Sequence, residues 1–326
     1  MLIKSSEYLS AEGAAEALGV SCAEISSAVM SLSSKGYRID SPAGPGYKLT
    51  SRPDRLGSGD IGAFLTRERM NTVTVLPVID STNTYCKDLA RKGAPQGTVV
   101  ISDCQTGGKG RRGRTFHSPS GVGLYLSYLM RPDSGIENIS EITCRTAVAV
   151  CRAIKNCYGF DSEIKWVNDV LMNRKKICGI LTEASFDSVS NAVDSLIIGI
   201  GINVNNRPSD FPEELASVAS SISAENGGSV LMRPELAASL IKELDVLVSG
   251  WPGAHAEYLD AYRRFCITPG NMISAYTTLA GESEPKNGEA VSIGDDFSLE
   301  VKFDGSDDIT AITSGEVSVR GLYGYT

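Results

Sequence analysis

The stretch GGKGRRGR at residues 107–114 constrains the fold of this chain more than any other feature. It places four glycines and four permanent cations between two apolar runs, GTVVISD and LYLSYLM. Its glycines satisfy the G-x-G-x-x-G spacing of dinucleotide-binding loops, but that fingerprint requires a helix directly after the loop. Pro119, Gly121 and Gly123 prevent such a helix, so a Rossmann fold is excluded.

Two other phosphate-binding loops are excluded by the same stretch. In a P-loop the lysine is followed by Ser or Thr, whereas Lys109 is followed by Gly110. A protein-kinase glycine loop does lie between strands, but the chain has no H-R-D and no D-F-G sequence. What remains is a strand, a cationic glycine loop and another strand.

The composition of this cationic loop, residues 107–114, favours an anionic ligand. Glycines let the backbone approach a ligand closely. The four cations would repel one another in an empty closed loop, and guanidinium groups match the geometry of phosphate. We expect the loop to be mobile when empty and ordered over a bound phosphate. The alternative is a solvated basic turn.

Length and composition indicate a globular protein of two or three domains. The chain has 326 residues, 42% of them hydrophobic and 21% charged. It has no apolar run of the roughly 18 residues that a membrane span needs, and its N-terminus has neither the apolar core nor the cleavage site of a signal peptide. We therefore expect a cytoplasmic protein with no membrane partner.

The cysteines indicate neither a metal site nor a disulfide framework. All eight stand singly, without a C-x-x-C pair, and the histidines are limited to His117 and His255. A zinc cluster needs ligands at closer spacings, so we predict no protein-bound metal.

Charge is unevenly distributed along the chain. Residues 282–326 hold ten acids and three bases, whereas the whole chain carries a net charge of −8. An acidic C-terminal unit is not expected to hold DNA phosphates, and a solvated face is the simpler interpretation.

Periodicity divides the chain into three segments. Residues 1–65 contain two predicted helices, a tight turn and two short strands, YRIDS and YKLTS, a pattern typical of a winged helix-turn-helix. Residues 66–268 alternate β-like runs with helices. Residues 269–326 hold short strand patterns at close spacing, typical of a small β-barrel or sandwich.

Two polar groups adjoin predicted strands. Ser81, Thr82 and Asn83 lie where a strand gives way to a helix, and they either cap that helix or hydrogen-bond a small polar ligand. In EIKWVNDVLMNRKKICGILTEA, the NRKK turn predicts a hairpin. Lys165 lies inside a predicted strand and should point at an anion or a carboxylate. We interpret Lys175 and Lys176 as parts of a solvated turn.

These motifs together resemble the biotin protein ligases. DSTN, QTGGKGRRGR, SPSGVGLYLS, KWVND, KICGIL-E and GIGINVN occur in the family's order, and with the N-terminal segment the chain resembles the bifunctional bacterial type that is also a biotin operon repressor. The resemblance implies an α/β (α+β) fold. It would comprise an N-terminal winged helix-turn-helix, a central class II synthetase-like mixed sheet with flanking helices, and a C-terminal SH3-like β-barrel.

The resemblance also implies two reactions, with biotin and ATP as substrates and Mg²⁺ accompanying ATP. Biotin and ATP give biotinyl-5′-AMP and pyrophosphate, and a lysine of a biotin carboxyl carrier domain of a carboxylase then takes the biotin and releases AMP. Binding to biotin operon DNA and formation of a homodimer are compatible with it.

Site residues are carried over by position. The family's biotin-binding groups fall on Ser81, Thr82, Asn83, Gln105, Lys109, Gly110, Arg111 and Lys165. ATP or adenylate contacts fall on Arg111, Arg112, Arg114, Phe116, Lys165, Asn168 and Asn203, and catalytic roles on Arg111, Lys165 and Asp169. Asp169 would orient or deprotonate the incoming lysine, or brace Lys165. Arg320 would reach from the C-terminal unit toward the catalytic unit.

Some positions depart from the family pattern. Lys109 replaces the usual arginine, Val167 replaces the usual proline, and the helix expected before Tyr8 is nearly missing, as in a truncated or misassigned start. Residues 1–50 hold four cations against five acids, which equips them poorly for DNA. The DNA-contacting candidates are Ser10, Ser21, Cys22, Ser26, Ser27 and Lys35.

Two further functions stay open. One is a biotin-sensing transcriptional regulator without ligase activity, and the other is a lipoate protein ligase, which shares the fold. The arginine-rich glycine loop favours the biotin branch over the lipoate branch.

Overall fold

A computed structural model of the chain describes residues 2–42, 46–132, 139–186, 193–277, 285–313 and 317–321, the last as backbone only. The helices are α1 (Ala11–Leu18), α2 (Cys22–Ser34), α3 (Ser58–Gly62), α4 (Arg67–Met70), α5 (Thr82–Arg91), α6 (Ile139–Tyr158), α7 (Ile222–Glu225), α8 (Arg233–Ser249) and α9 (His255–Phe265). The strands are β1 (Arg38–Asp40), β2 (Lys48–Ser51), β3 (Val73–Leu76), β4 (Val99–Ser102), β5 (Gly123–Met130), β6 (Glu163–Lys165), β7 (Asp169–Met172), β8 (Lys175–Phe186), β9 (Val193–Asn203), β10 (Met272–Thr277), β11 (Lys286–Ile293), β12 (Leu299–Phe303), β13 (Ile309–Ile312) and β14 (Val317–Gly321).

The N-terminal elements are two helices and an antiparallel pair, β1–β2. Ser10 caps α1 by accepting from Gly13 N, and Ser21 forms a capping box with Glu24 at the start of α2. Glycine ends α1 at Gly19, where the backbone is left-handed. The helices enclose a small core separate from the rest of the molecule, made of Ala14, Ala15 and Ile25.

A seven-stranded mixed sheet forms the centre of the molecule. Its order is β3-β4-β5-β9-β8-β7-β6, with β3 parallel to β4 and the remaining neighbours antiparallel. Alternating side chains of β4 face opposite sides, since Val99 and Ile101 join the large core with α6 and α8, while Val100 packs with Cys86 of α5. The sheet is therefore covered on both faces, and β5 is buried along its whole length.

The predicted hairpin after KWVND is confirmed. Strands β7 and β8 are joined by Asn173 and Arg174, whose φ angles of 48° and 65° suit a two-residue type I′ turn. The lysines that follow belong to β8 and not to the turn, so that our interpretation of them as turn residues is wrong.

The C-terminal segment forms a five-stranded antiparallel sheet in the order β13-β12-β11-β10-β14. Its buried side chains join the same core as the central sheet. Trp166, next to β6, donates from its indole N–H to the carbonyl of Phe297, 2.9 Å away, and Tyr262 packs edge-on against the Phe297 ring. The two sheets are thus packed together.

No single helix among the described residues is long and apolar enough to cross a membrane. The pair α1–α2 reaches the required length and composition only jointly, across a bend of 102°.

Candidate active site

A cavity lies where α5 begins, beside the cationic loop and above strands β8 and β9; it is open to solvent, and its empty space of about 470 Å³ includes part of that solvent. Its lining comprises Ser81, Thr82, Asn83, Gln105, Lys109, Gly110, Arg111, Phe116, Asn168, Lys176, Gly179, Ile180, Leu181, Gly199, Ile200 and Gly201. Nine of these residues are among the predicted site residues. The cavity therefore brings together the two polar groups and the loop that the sequence singles out.

One part of the cavity wall is a network of amides and hydroxyls. The backbone N–H and Oγ1 of Thr82 lie 2.9 and 3.1 Å from Gln105 Oε1. Ser127, buried on β5, places its hydroxyl 2.8 Å from Thr82 Oγ1 and 2.5 Å from Asn83 Oδ1. The cluster following Asp80 is thus held by contacts to the sheet. Ser81 occupies the N-cap position of α5, but its side chain makes no capping hydrogen bond. Capping of α5 by the Ser81 hydroxyl is therefore not observed.

An ion pair behind this network fixes the orientation of Asn83. Glu183 accepts from Asn83 Nδ2 at 2.8 Å and pairs with Lys87 at 2.5 Å. Burial pushes the pKa of Glu183 upward, but the hydrogen bonds from Lys87 and Asn83 outweigh it and hold that pKa below its usual value. Because an ionised carboxylate only accepts hydrogen bonds, the NH₂ of Asn83 must face Glu183 and its carbonyl must face Ser127.

Three glycines make room for the side chains over the sheet. A Cβ at Gly199 would overlap the Asn83 amide, and one at Gly201 would lie 2.5 Å from the Phe116 ring. A Cβ at Gly179, paired with Gly201 across β8 and β9, would lie 3.2 Å from the same ring. Both β9 glycines face the cavity because side chains alternate along a strand. The alternating G-I-G-I pattern in the sequence was the signal for them.

The cationic loop is itself a small hairpin. Phe116 N donates to Gly108 O at 2.9 Å, Gly110 N donates to Arg114 O at 2.7 Å, and Lys109 bridges to Thr115. The tip contains a left-handed non-glycine residue, Arg112, at φ 59°. This fold brings the Lys109–Arg111 side of the loop to the cavity. The mobility of the empty loop stays a prediction.

Arg111 is the most enclosed cation of the loop. Its Nη1 donates to Asn168 Oδ1 at 2.9 Å, and Asn168 in turn donates to the carbonyl of Ile180 at 3.1 Å. Burial lowers the pKa of Arg111, and the neighbouring charge of Arg112 lowers it further. Both effects disfavour the charged form of Arg111. An anion bound in the cavity would oppose them, and the guanidinium would attract that anion in turn.

Lys176 is a cavity-lining lysine that the sequence interpretation placed in a solvated turn. It lines the cavity from β8, and its Nζ lies 2.5 Å from Asp169 Oδ1. Lys165, the predicted lysine, is buried at the end of β6, opposite Asp169, and does not line the cavity. Strand order explains why Lys176 and not Lys165 reaches the cavity, because β8 borders β9 whereas β6 is the edge strand. The register of β7 and β8 shifts beside Lys176, so strict alternation in KICGIL does not predict which face it occupies.

The other predicted residues lie away from this lining. Arg112 and Arg114 are exposed in the cationic loop. Asn203 is buried at the end of β9, and its Nδ2 donates to Ser220 O at 3.0 Å. The side chain of Arg320 lies outside the described residues. Arg112, Arg114 and Asn203 thus do not line the cavity, and their contacts with ATP or adenylate stay a prediction.

The sequence around the cavity matches a known family. Residues 75–203 match the biotin/lipoate A/B protein ligase family, and every residue lining the cavity lies within that range.

Comparison with related proteins and solved structures shows which class of protein this chain belongs to. Over 222 residues the chain is 38% identical to the bifunctional ligase/repressor BirA of Bacillus subtilis, covering 68% of each protein. It is 32% identical over 243 residues to the BirA of Escherichia coli, covering 74% of this chain and 73% of that protein. The biotin protein ligase from Aquifex aeolicus in complex with biotin and ATP superimposes with a TM-score of 0.64 at 28% identity, over 76% of this chain and 98% of that one. The chain belongs to the biotin protein ligases.

Alanine at each of the two β9 glycines should affect different substrates. Gly199→Ala displaces Asn83 and is expected to raise the KM for biotin about tenfold, while Gly201→Ala displaces Phe116 and should raise the KM for ATP by a similar factor. Steady-state kinetics with each substrate varied in turn checks this. Gly59→Ala is the control, since no atom lies within 4 Å of its added Cβ. Equal changes in both KM values for both variants would contradict the expectation from sequence that Asn83 contacts biotin and Phe116 contacts ATP.

Proposed function

We propose that this protein is an ATP-dependent biotin protein ligase. In the first step a carboxylate oxygen of biotin attacks the α-phosphorus of ATP, the bond to the β-phosphate oxygen breaks, and pyrophosphate leaves. In the second step the ε-amine of a carrier lysine attacks the acyl carbon of biotinyl-5′-AMP, loses a proton and expels AMP. The observation that carries this proposal is the cavity itself, where an amide and hydroxyl cluster lies beside Arg111 and Lys176.

The residues divide the work by chemistry. We assign the ureido ring of biotin to the donors and acceptors of Ser81, Thr82, Asn83 and Gln105. Internal hydrogen bonds fix the orientation of the last three. A preformed network of this kind holds a polar ring without reorganising.

The cations of the cavity serve the reacting groups. The biotin carboxylate and the α-phosphate are both anions, and their approach costs energy unless positive charge is already in place. Lys109, Arg111 and Lys176 line the cavity and supply that charge. Phe116, over Gly201, is the surface that we assign to adenine. We assign Asp169 the task of holding Lys176, and deprotonation of the acceptor lysine is the alternative role.

Mg²⁺ would arrive on the triphosphate of ATP. Within the part of the chain that the structure describes, there is no group of three or more His, Cys, Asp or Glu side chains that could hold a metal. Mg²⁺ commonly keeps most of its water and binds through substrate phosphates, which suits this site.

Biotin-dependent exchange of labelled pyrophosphate into ATP is the decisive assay. Exchange with biotin, followed by transfer of biotin to a carrier domain, is the expected result. A transcriptional regulator that only senses biotin would give no exchange. Transfer of lipoate but not biotin would identify a lipoate ligase instead.

Operator binding is a second proposed function. The N-terminal helices with the β1–β2 pair suit a winged helix-turn-helix at residues 1–65, ahead of a catalytic unit at 66–268 and an SH3-like unit at 269–326. All of the DNA-contacting candidates except the half-buried Ser26 are exposed, although the Ser10 and Ser21 side chains also cap helices and Ser26 bonds to Tyr47.

A gel shift on DNA upstream of biotin genes tests this second function. Binding that strengthens with biotinyl-5′-AMP and weakens with salt is expected of a repressor. Absence of any salt-sensitive shift would exclude it.

A further inference from the structure

A buried arginine outside the cavity contacts two distant segments of the chain. Arg233, at the start of α8, is only 1% exposed. Its Nε lies 2.6 Å from Asp54 Oδ2 and its backbone N–H donates to Asp54 Oδ1 at 2.9 Å. Its Nη1 lies 2.7 Å from Asp103 Oδ1 and 2.9 Å from the carbonyl of Gly123. A charge buried this deeply is stable only while its partners stay in place.

Asp103 lies at the base of the segment that carries the cationic loop. It follows β4 directly, and its second oxygen accepts from Ser120 Oγ at 2.5 Å and from Gly121 N at 2.9 Å, two residues before β5. One carboxylate therefore joins the beginning and the end of the segment between β4 and β5. A second tie lies just inside it, where Gln105 N donates to Ser118 O at 3.1 Å.

The contacts of Asp103 at the base of the loop segment also position side chains that line the cavity. Gln105, two residues after Asp103, accepts from Thr82 through Oε1 and donates from Nε2 to Ser118 Oγ at 3.0 Å. A shift of Asp103 would therefore move the Gln105 amide and the hairpin that presents Arg111. Arg233 donates to neither of them, and acts through Asp103 and the carbonyl of Gly123 at the end of the segment.

Asp54 lies on the opposite side of Arg233. It belongs to the connector between β2 and α3, and Asn205, just after β9, also donates to it at 3.0 Å. The guanidinium thus links the connector that follows the N-terminal helices to the base of the loop segment. A lysine is a point donor and could not span both carboxylates in this geometry.

We propose that Arg233 is a positioning residue for ligation, which through Asp103 fixes the base of the cationic loop and through Asp54 ties that base to the connector. The proposal rests on the ligase function for its kinetic consequences. Its structural part, the setting of the loop, is independent of that function.

Trypsin cleavage within the cationic loop measures the loop setting directly. The loop holds four cleavage sites, and mass spectrometry of fragments from brief digestion identifies cuts there. In Arg233→Lys and Asp103→Asn, cleavage without ligands is expected to be about tenfold faster than in the wild type. Asp54→Asn, which leaves the Asp103 contact in place, should raise cleavage about threefold. If Asp54→Asn has no effect, the tie to the connector is wrong.

Kinetics of the full-length protein provide the second readout. Release of biotinyl-5′-AMP should be about fivefold faster in Arg233→Lys and Asp103→Asn. Arg145→Lys is the matched control, because Arg145 is equally buried and pairs with Glu141 on α6, away from the loop. It should lower thermal stability without changing loop cleavage.

The outcomes separate the two proposals. Wild-type loop cleavage in both Arg233→Lys and Asp103→Asn overturns the positioning role, even if exchange activity is present. If the wild type shows no biotin-dependent exchange, the ligase function fails while the cleavage comparison still decides the role of Arg233. If Arg233→Lys does not fold, the isosteric Asp103→Asn carries the test.

Discussion

Replacing Lys176 by glutamine is expected to lower biotin-dependent pyrophosphate exchange about 100- to 1,000-fold, the range seen when one preorganised electrostatic contact is removed from an active site. Lys176 lines the cavity and neutralises Asp169 at 2.5 Å. Without it, the carboxylate of Asp169 adds a third negative charge where the biotin carboxylate and the α-phosphate must meet. The defect should lie mainly in kcat.

The neighbouring lysine provides a matched control. Lys175 lies on the same strand with its side chain 47% exposed, and it pairs with Glu225 at 3.4 Å. Lys175→Gln should change exchange by less than about twofold, as expected for an exposed ion pair. Lys176→Arg should keep part of the activity because it keeps the charge. If Lys176→Gln exchanges like Lys175→Gln, Lys176 is not part of the reacting site.

Arg111→Ala is expected to release biotinyl-5′-AMP about 10- to 100-fold faster. A hydrogen bond to a charged group contributes about 1.5–3 kcal/mol, which corresponds to that range. Arg111 is enclosed by Asn168 and lies at the cavity, so the adenylate phosphate would be its main anionic partner. Rapid quench with labelled ATP, followed by a chase, measures the release.

Two variants control for charge and for loss of an arginine. Arg111→Lys keeps the charge but not the two-pronged contact, and should give an intermediate release rate. Arg152→Ala removes an arginine of α6 that pairs with Glu257 of α9 and does not line the cavity, and it should leave release unchanged. Release from Arg111→Ala at the wild-type rate would contradict the phosphate contact.

Local signals were enough to predict much of the fold. The first two helices, the antiparallel β1–β2 pair and the β7–β8 hairpin depend on capping residues, glycines and turn chemistry close in sequence. Strand β10 was not predicted, because its place in the sheet is set by pairing with two other strands, β11 and the more distant β14. Helix α9 was also missed. It begins after Ala254, a left-handed residue that gives no sequence signal.

The site was predictable where its residues adjoin one another in sequence. The Ser81–Asn83 group and the cationic loop carry recognisable polar patterns, and the structure brings both to one cavity. That Lys176 lines the cavity while Lys165 does not depends on which strand lies beside β9. That order is set by the whole sheet, so a local pattern could not distinguish the two lysines.

The separate core of the N-terminal helices has a consequence for heating. The buried core of that unit consists of three small or medium apolar side chains, Ala14, Ala15 and Ile25. The two larger sheets share one continuous hydrophobic core. Regions with little buried apolar area open at lower free energy than the rest of a protein. On warming, the N-terminal helices should unfold before the sheets that form the cavity. Any operator binding would then be lost at temperatures where biotin is still converted to its adenylate.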